Sequence, residues 1–255
     1  MSSNAASVLR DVDAYVFDVF GTAVDWFTTL KREVARRADG AFHDKDQDAA
    51  EFAREWRKGY YAHIRTVNAG GEGSLNFDIA HRQILDRILA SPRWSHLGSL
   101  WDDPARSALV QLWHELDVYQ DTLPGLTELG KLGTVACLSN GNFRLLLDLA
   151  KNNHLPWDGI LSTEFFGVYK PTKQAYLAAA YHLDVPPDRL AMVAAHKWDL
   201  DGAAQAGLKT VYVPRAAEDS QEVRESVRSK AQGGDVDVVV KDFVELATLA
   251  AEARK

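Results

Sequence analysis

Short apolar, β-prone runs recur along the chain at Ala14–Asp18, Thr134–Leu138, Gly159–Ser162, Leu190–Ala194 and Thr210–Val213, with a weaker sixth at Val236–Val240. Between the second and fifth run lie amphipathic patterns at helical spacing, Phe143–Asn152, Thr172–His182 and Leu200–Ala206. Strands alternating with helices predict βαβ units and a parallel sheet covered on both faces. In such sheets a ligand site lies outside the carboxyl ends of the strands, near the point where the strand order reverses.

The alternation fails between Asp25 and Trp113, where Trp26–Asp39, Asp46–Val67, Phe77–Ala90 and Pro104–Leu116 read as one helix after another. Asn68–Gly73 and Ser91-Pro92 break the run. An all-helical insert placed directly after the first strand reads as a cap over the strand ends. The expected division is a core of residues 1–24 and 114–255 and a cap of residues 25–113. Leu123-Pro124-Gly125 is expected to be a turn opening the helix before the second strand, and Lys241–Lys255 a terminal helix.

Composition narrows the function classes. The chain has 255 residues, 46% of them hydrophobic, enough for a substantial core, and a formal net charge of −7. No Lys/Arg stripe forms, so nucleic acid and acidic membrane surfaces are not expected partners. Cys137 is the single cysteine and sits in an apolar run. An intrachain disulfide is therefore excluded, which suits a reducing cytoplasm, and a buried core thiol is the reading for Cys137 itself. Met1–Val8 has no apolar region of targeting type, and no run reaches the length of a membrane span. The aromatic-rich helical segment permits a homodimer without requiring one.

Four polar clusters stand at the ends of different predicted strands. Asp18 ends the first strand before a Gly21-Thr22 turn and can act as a nucleophile through an ester intermediate; a turn cap is the plain alternative. Ser139-Asn140-Gly141-Asn142 ends the second strand and opens a helix. Its hydroxyl, amide and N–H groups suit a carboxylate or phosphate, but Ser and Asn are also ordinary N-cap residues. Lys170, in Gly167-Val-Tyr-Lys-Pro171, can keep a carboxylate ionised; the alternative is a solvated loop lysine. Asp199 follows the fourth strand and can serve as a general base toward water, whereas Asp201 reads as a charge complementing the helix dipole. His196 is a candidate base or hydrogen-bond donor, with a structural histidine as the alternative. Each signal is modest alone, but their order and like placement point to one shared site.

This ordered set resembles the haloacid dehalogenase superfamily over nearly the whole chain, and most closely its L-2-haloacid dehalogenase branch. Asp18 matches the nucleophile, Ser139 the second motif, Lys170 the third and Asp199 the fourth. The branch features are Phe20-Gly21-Thr22, Ser139-Asn140-Gly141, Tyr169-Lys170-Pro171 with Tyr176, Trp198-Asp199 and, more loosely, Trp56-Arg57 in the cap. The resemblance implies an α/β fold, a Rossmann-like parallel-sheet core with an inserted all-helical cap domain. It implies hydrolytic dehalogenation of short 2-haloalkanoic acids through an aspartyl ester, with no cofactor and no metal. Phosphatases of the superfamily place a second Asp two residues after the nucleophile, where this chain has Phe20, and a further metal-binding acid where it has Ala195. A halide leaves without a proton, so both losses agree with attack on carbon.

On this reading Asp18, Lys170, Asp199 and His196 are the catalytic residues, and Phe20, Thr22, Arg57, Ser139, Asn140, Tyr176 and Trp198 line the substrate side. Ser139 and Asn140 would hold the substrate carboxylate. Arg57, Asn140, Phe20 and Trp198 would receive the halide, and Tyr176 would support the lysine–carboxylate network. The branch usually carries Ser-Ser-Asn where this chain reads Ala194-Ala195-His196, so His196 is expected to position or activate the hydrolytic water. Three readings compete: a same-fold hydrolase acting on another activated carbon such as a strained-ring amino acid, a phosphatase, and a catalytically silent interaction protein.

Overall fold

A computed structural model describes residues 7–255. Six parallel strands form one sheet: β1 Ala14–Phe17, β2 Thr134–Ser139, β3 Gly159–Ser162, β4 Leu190–Ala194, β5 Lys209–Tyr212 and β6 Val238–Val239. Their order is β3-β2-β1-β4-β5-β6. The order reverses between β1 and β4, which is the switch point where α/β sheets open a crevice. β1 is hydrogen-bonded on both sides, with Phe17 level with Cys137 of β2 and Val193 of β4.

Strand side chains alternate between two cores, as a period of two requires. Tyr15, Phe17, Val135, Ala191 and Val193 face one core with Leu126, Leu129, Phe243 and Leu246. Ala14, Val16, Ala136, Leu190 and Met192 face the other with Tyr176, Ala179, Leu200 and Ala203. Both faces are thus covered by helices, which is why the strands read as continuous apolar runs. The helices Lys173–Leu183 and Lys197–Gln205 lie within two residues or so of where their apolar spacing put them, except that the second begins three residues earlier, at Lys197 rather than Leu200.

Two compact units divide the chain, Met1–Val24 with Val118–Lys255, and Asp25–Asp117. Four helices of the helical unit are capped by an Asp or Asn side chain at the residue before them. Asp25, Asp44, Asn76 and Asp102 each accept an N–H from the first turn of Trp26–Arg37, Lys45–Asn68, Phe77–Ala90 and Asp103–Gln111 respectively. Trp113 belongs to this unit's core, stacked on Trp26 at 6.2 Å and edge-on to Trp56 at 5.6 Å. The boundary therefore falls after Asp117, where the Asp25 N–H meets the Asp117 carbonyl at 2.8 Å, and not at Trp113.

Several elements differ from expectation. Pro104–Leu116 is not one helix: Asp103–Gln111 gives way to a 3₁₀ turn, Leu112–Glu115. Leu123-Pro124-Gly125 is not a turn but lies in the first turns of the helix Thr122–Leu129. Proline is tolerated there because first-turn N–H groups have no intrahelical partner. Gly125 serves packing, since a Cβ on it would collide with Phe243 of the terminal helix Phe243–Ala253. Two short helices, Ser95–Leu100 and Gln221–Ser226, have too few residues to show a period. Among the described residues no helix is long and apolar enough to cross a membrane.

Candidate active site

Asp18 follows the last residue of β1, and its N–H donates to the Val193 carbonyl at 3.0 Å, fixing it beside β4. The chain then folds back on itself. Ala23 and Val24 both donate to the Val19 carbonyl, and Gly21 sits at φ +82°. That left-handed conformation favours glycine. A Cβ at Gly21 would also overlap the Glu218 carboxylate. The turn delivers Thr22, whose Oγ1 donates to Asp18 Oδ2 at 2.8 Å and accepts from Ala195 N at 3.0 Å.

Lys170 stands at the centre. Its Nζ donates to Asp18 Oδ1 at 2.9 Å and to Asp199 Oδ2 at 2.6 Å. The residue is fully buried, an environment lysine enters only when paired. Asn140 fixes its backbone: Lys170 N donates to Asn140 Oδ1 at 2.8 Å, and Asn140 Nδ2 donates to the Lys170 carbonyl at 3.3 Å. Tyr176 OH donates to Asp199 Oδ1 at 2.6 Å. His196 bridges two acids, with Nδ1 3.1 Å from Asp18 Oδ2 and Nε2 2.8 Å from Glu218 Oε2.

The two carboxylates are pushed in opposite directions. Burial opposes ionisation of Asp18, but Lys170 and His196 outweigh it and hold Asp18 below its ordinary 3.8. Burial raises Asp199, Lys170 only partly offsets this, and the charge on Asp18 adds to the rise. Burial also works against charge on Lys170, yet Asp18 and Asp199 together keep it above its ordinary value. Tyr176 is driven well above 10 by burial and by Asp199, so it remains a donor. One ionised carboxylate beside one poised to take a proton is the arrangement of a nucleophile and a base. A buried ion cluster is a poor means of stabilising a fold, which favours a chemical reason for it.

The remaining sequence candidates fall in different places. Ser139 is fully buried and its Oγ accepts from Gly141 N at 3.2 Å. The N–H of Phe143, opening the helix Phe143–Asn152, already goes to Glu164 at 3.1 Å. Phe20 is buried, and Gly141 lets its ring approach closely. The half-buried Trp198 packs 5.5 Å from the His196 ring. Asp201 pairs with Lys197 at the surface, consistent with a helix charge. Cys137 is buried, and burial pushes its thiol up to about 12. Arg57 lies in the helical unit, its guanidinium 4.6 Å above the Tyr61 ring and 5.6 Å from that of Trp26. Among the described residues no group of three or more His, Cys, Asp or Glu side chains is arranged to hold a metal.

Glu218 escaped the sequence reading. It sits in the polar stretch Arg215-Ala-Ala-Glu-Asp-Ser220, which resembles any solvated loop. The one usable signal was position: the loop follows β5, at the same sheet end as the other clusters.

A family model for haloacid dehalogenase-like hydrolases matches residues 12–207. The chain belongs to the haloacid dehalogenase-like hydrolase family. Within this family it is similar to (S)-2-haloacid dehalogenase 1 of Pseudomonas sp. strain CBS-3, at 30% identity over 80% of this chain and 85% of that protein. It is also similar to (S)-2-haloacid dehalogenase 4A of Burkholderia cepacia, at 30% identity over 79% of this chain and 83% of that one. Among solved structures, a defluorinating L-2-haloacid dehalogenase superposes with a TM-score of 0.82 at 34% identity, covering 96% of both chains. A second L-2-haloacid dehalogenase gives 0.79 at 32% identity, covering 93% of this chain and 98% of that one. The family's α/β architecture, a parallel sheet with surrounding helices, is the one described above.

Proposed function

We propose that this haloacid dehalogenase-like hydrolase cleaves the carbon–halogen bond of short 2-haloalkanoic acids, giving a 2-hydroxy acid and halide through an ester on Asp18. The observation that carries the reading is the buried Lys170 ammonium held between Asp18 and Asp199, with Phe20 where a leaving-group acid would stand. Lys170 and His196 keep Asp18 ionised, as displacement at carbon requires. A halide departs as a stable anion, so the apolar Phe20 costs the reaction nothing.

The substrate carboxylate is assigned to Ser139 and main-chain N–H groups near the start of the helix Phe143–Asn152. Asn140 acts chiefly through Lys170, whose backbone it clamps. Asp18 attacks the α-carbon opposite the halogen, with inversion. The helical unit acts as a cap that excludes water, and Arg57, always charged and weakly hydrated, receives the halide with Phe20 and Trp198. Asp199, raised by burial and by the charge on Asp18 and oriented by Lys170 and Tyr176, takes the proton of the water that cleaves the ester. The similarity to proteins named (S)-2-haloacid dehalogenases supports the substrate class and the handedness.

The test is a halide-release screen over chloro-, bromo- and fluoroacetate and both 2-chloropropionate enantiomers. Halide release from the (S) enantiomer with formation of (R)-lactate is the expected result. No halide from any of these acids would overturn the proposal.

A further inference from the structure

His196 touches the nucleophile and helps keep it ionised, and its second ring nitrogen faces Glu218. Asp18 offers two oxygens in unequal settings. Oδ1 receives one donor, Lys170 Nζ. Oδ2 receives two, Thr22 Oγ1 at 2.8 Å and His196 Nδ1 at 3.1 Å. A carboxylate oxygen has two in-plane lone pairs, so Oδ1 keeps one for attack while both on Oδ2 are engaged. Attack through Oδ1 makes Oδ2 the carbonyl oxygen of the ester. When water adds to that ester, negative charge develops on Oδ2, where two donors already point.

The orientation of both donors is set by other groups. Ala195 N donates to Thr22 Oγ1, which turns the Thr22 hydroxyl proton toward Oδ2. Glu218 faces His196 Nε2 at 2.8 Å, and Asp18 faces Nδ1. Carboxylates only accept, so a ring between two of them donates from both nitrogens and carries a charge. Asp18 and Glu218 each face one ring nitrogen, and Lys170 stands beyond Asp18. The Glu218 side chain is 2% exposed, and Gly21, having no Cβ, admits its carboxylate.

Building on the proposed ester mechanism, we propose that Thr22 and His196 form the oxyanion hole for ester hydrolysis and that Glu218 is the positioning residue that keeps His196 an N–H donor. Water adds to Asp18 Cγ as Asp199 takes one of its protons, and the carbonyl electron pair moves onto Oδ2 between Thr22 and His196. The pair returns, the Cγ–Oδ1 bond breaks, and the hydroxy acid leaves with Oδ1 and the proton from Asp199. Asp18 retains the water oxygen and releases the second water proton to solvent.

The experiment separates the two half-reactions. Enzyme and (S)-2-chloropropionate are mixed in near-equal amounts and quenched in time; halide and the intact mass of the ester-bearing protein are followed. Glu218→Gln keeps the volume and an acceptor, and its thermal unfolding, measured beside the parent's, reports a folding defect if one exists. In this variant the first halide is released within about 5-fold of the parent rate, while ester hydrolysis slows about 10–100-fold and the ester accumulates. His196→Leu, with no donor, slows hydrolysis about 10²–10³-fold. His196→Asn keeps an N–H donor but cannot accept a proton, and it hydrolyses the ester at least about 10-fold faster than His196→Leu. In the parent, hydrolysis falls as pH rises through deprotonation of the ring. Equal rates in the Asn and Leu variants, or a His196-dependent fall toward acid pH, would show a general base and overturn the oxyanion role. Parent-like ester hydrolysis in Glu218→Gln would remove Glu218 from it. If the parent itself forms neither halide nor adduct, the dehalogenase reading fails, and this inference with it.

Discussion

Replacing Lys170 by Met keeps the length of the side chain and removes the charge that Asp18 and Asp199 share. The lysine side chain is 1% exposed and that of Asp199 is 0% exposed, so no water can take the place of the ammonium. Asp18 would retain Thr22 and His196, but Asp199 would be left with Tyr176 alone. Removing one partner of a buried pair typically costs about 3–5 kcal/mol. For a protein of this size that corresponds to a fall in Tm of about 6–20 °C.

The pH dependence of this loss has a definite sign. In the parent, Asp18 lies below 3.8, so its contribution is present above that value and is lost as pH falls through its lower native value. Asp199 lies above 3.8, so its contribution is fully present below 3.8 and is lost as pH rises through its native value. Without Lys170, Asp199 moves further up. Between 3.8 and that raised value the native variant then holds more protons than the unfolded chain, so its stability increases as pH falls. Urea unfolding followed by tryptophan fluorescence at pH 7 and pH 5 measures both effects. A deficit of about 3–5 kcal/mol at pH 7 that narrows at pH 5 is expected. A variant within about 1 kcal/mol of the parent at pH 7, or one that weakens further relative to the parent at pH 5, would refute the reasoning.

Three further outcomes follow from the same geometry. Tyr176→Phe removes the donor to Asp199, so the acid limb of ester hydrolysis moves to higher pH and kcat falls about 10-fold, read from the pH–rate profile. Gly21→Ala places a Cβ at positive φ and against the Glu218 carboxylate; it lowers stability by about 1–3 kcal/mol in thermal unfolding and slows ester hydrolysis more than the first halide release. Cys137, buried with its thiol pushed up to about 12, does not react with an aromatic disulfide reagent at pH 8 in the native protein and reacts fully in denaturant.

The sheet was legible because its strands are buried on both faces and read as unbroken apolar runs, from Ala14 to Val213. Asp18, Lys170 and Asp199 were traceable because each follows or nears a strand end, where topology brings distant segments together. Elements that depend on tertiary contact were not traceable in this way. Pro124 and Gly125 look like a turn until Phe243 is seen against Gly125. Trp113 looks like the end of the helical segment until it stacks on Trp26. Asn140 looks like a ligand-facing amide, yet its pairing with the Lys170 backbone joins residues far apart in sequence. Glu218 gives no local signal at all; only the closeness of Gly21 and His196 distinguishes it from the neighbouring loop acids.

Nucleophilic attack by Asp18 on carbon can be tested by following single-turnover hydrolysis of (S)-2-chloropropionate in ¹⁸O-water with enzyme in excess. The predicted result is label in the carboxylate of Asp18 and unlabelled lactate from the first turnover. Label in the first lactate formed, with none in Asp18, would contradict the ester mechanism.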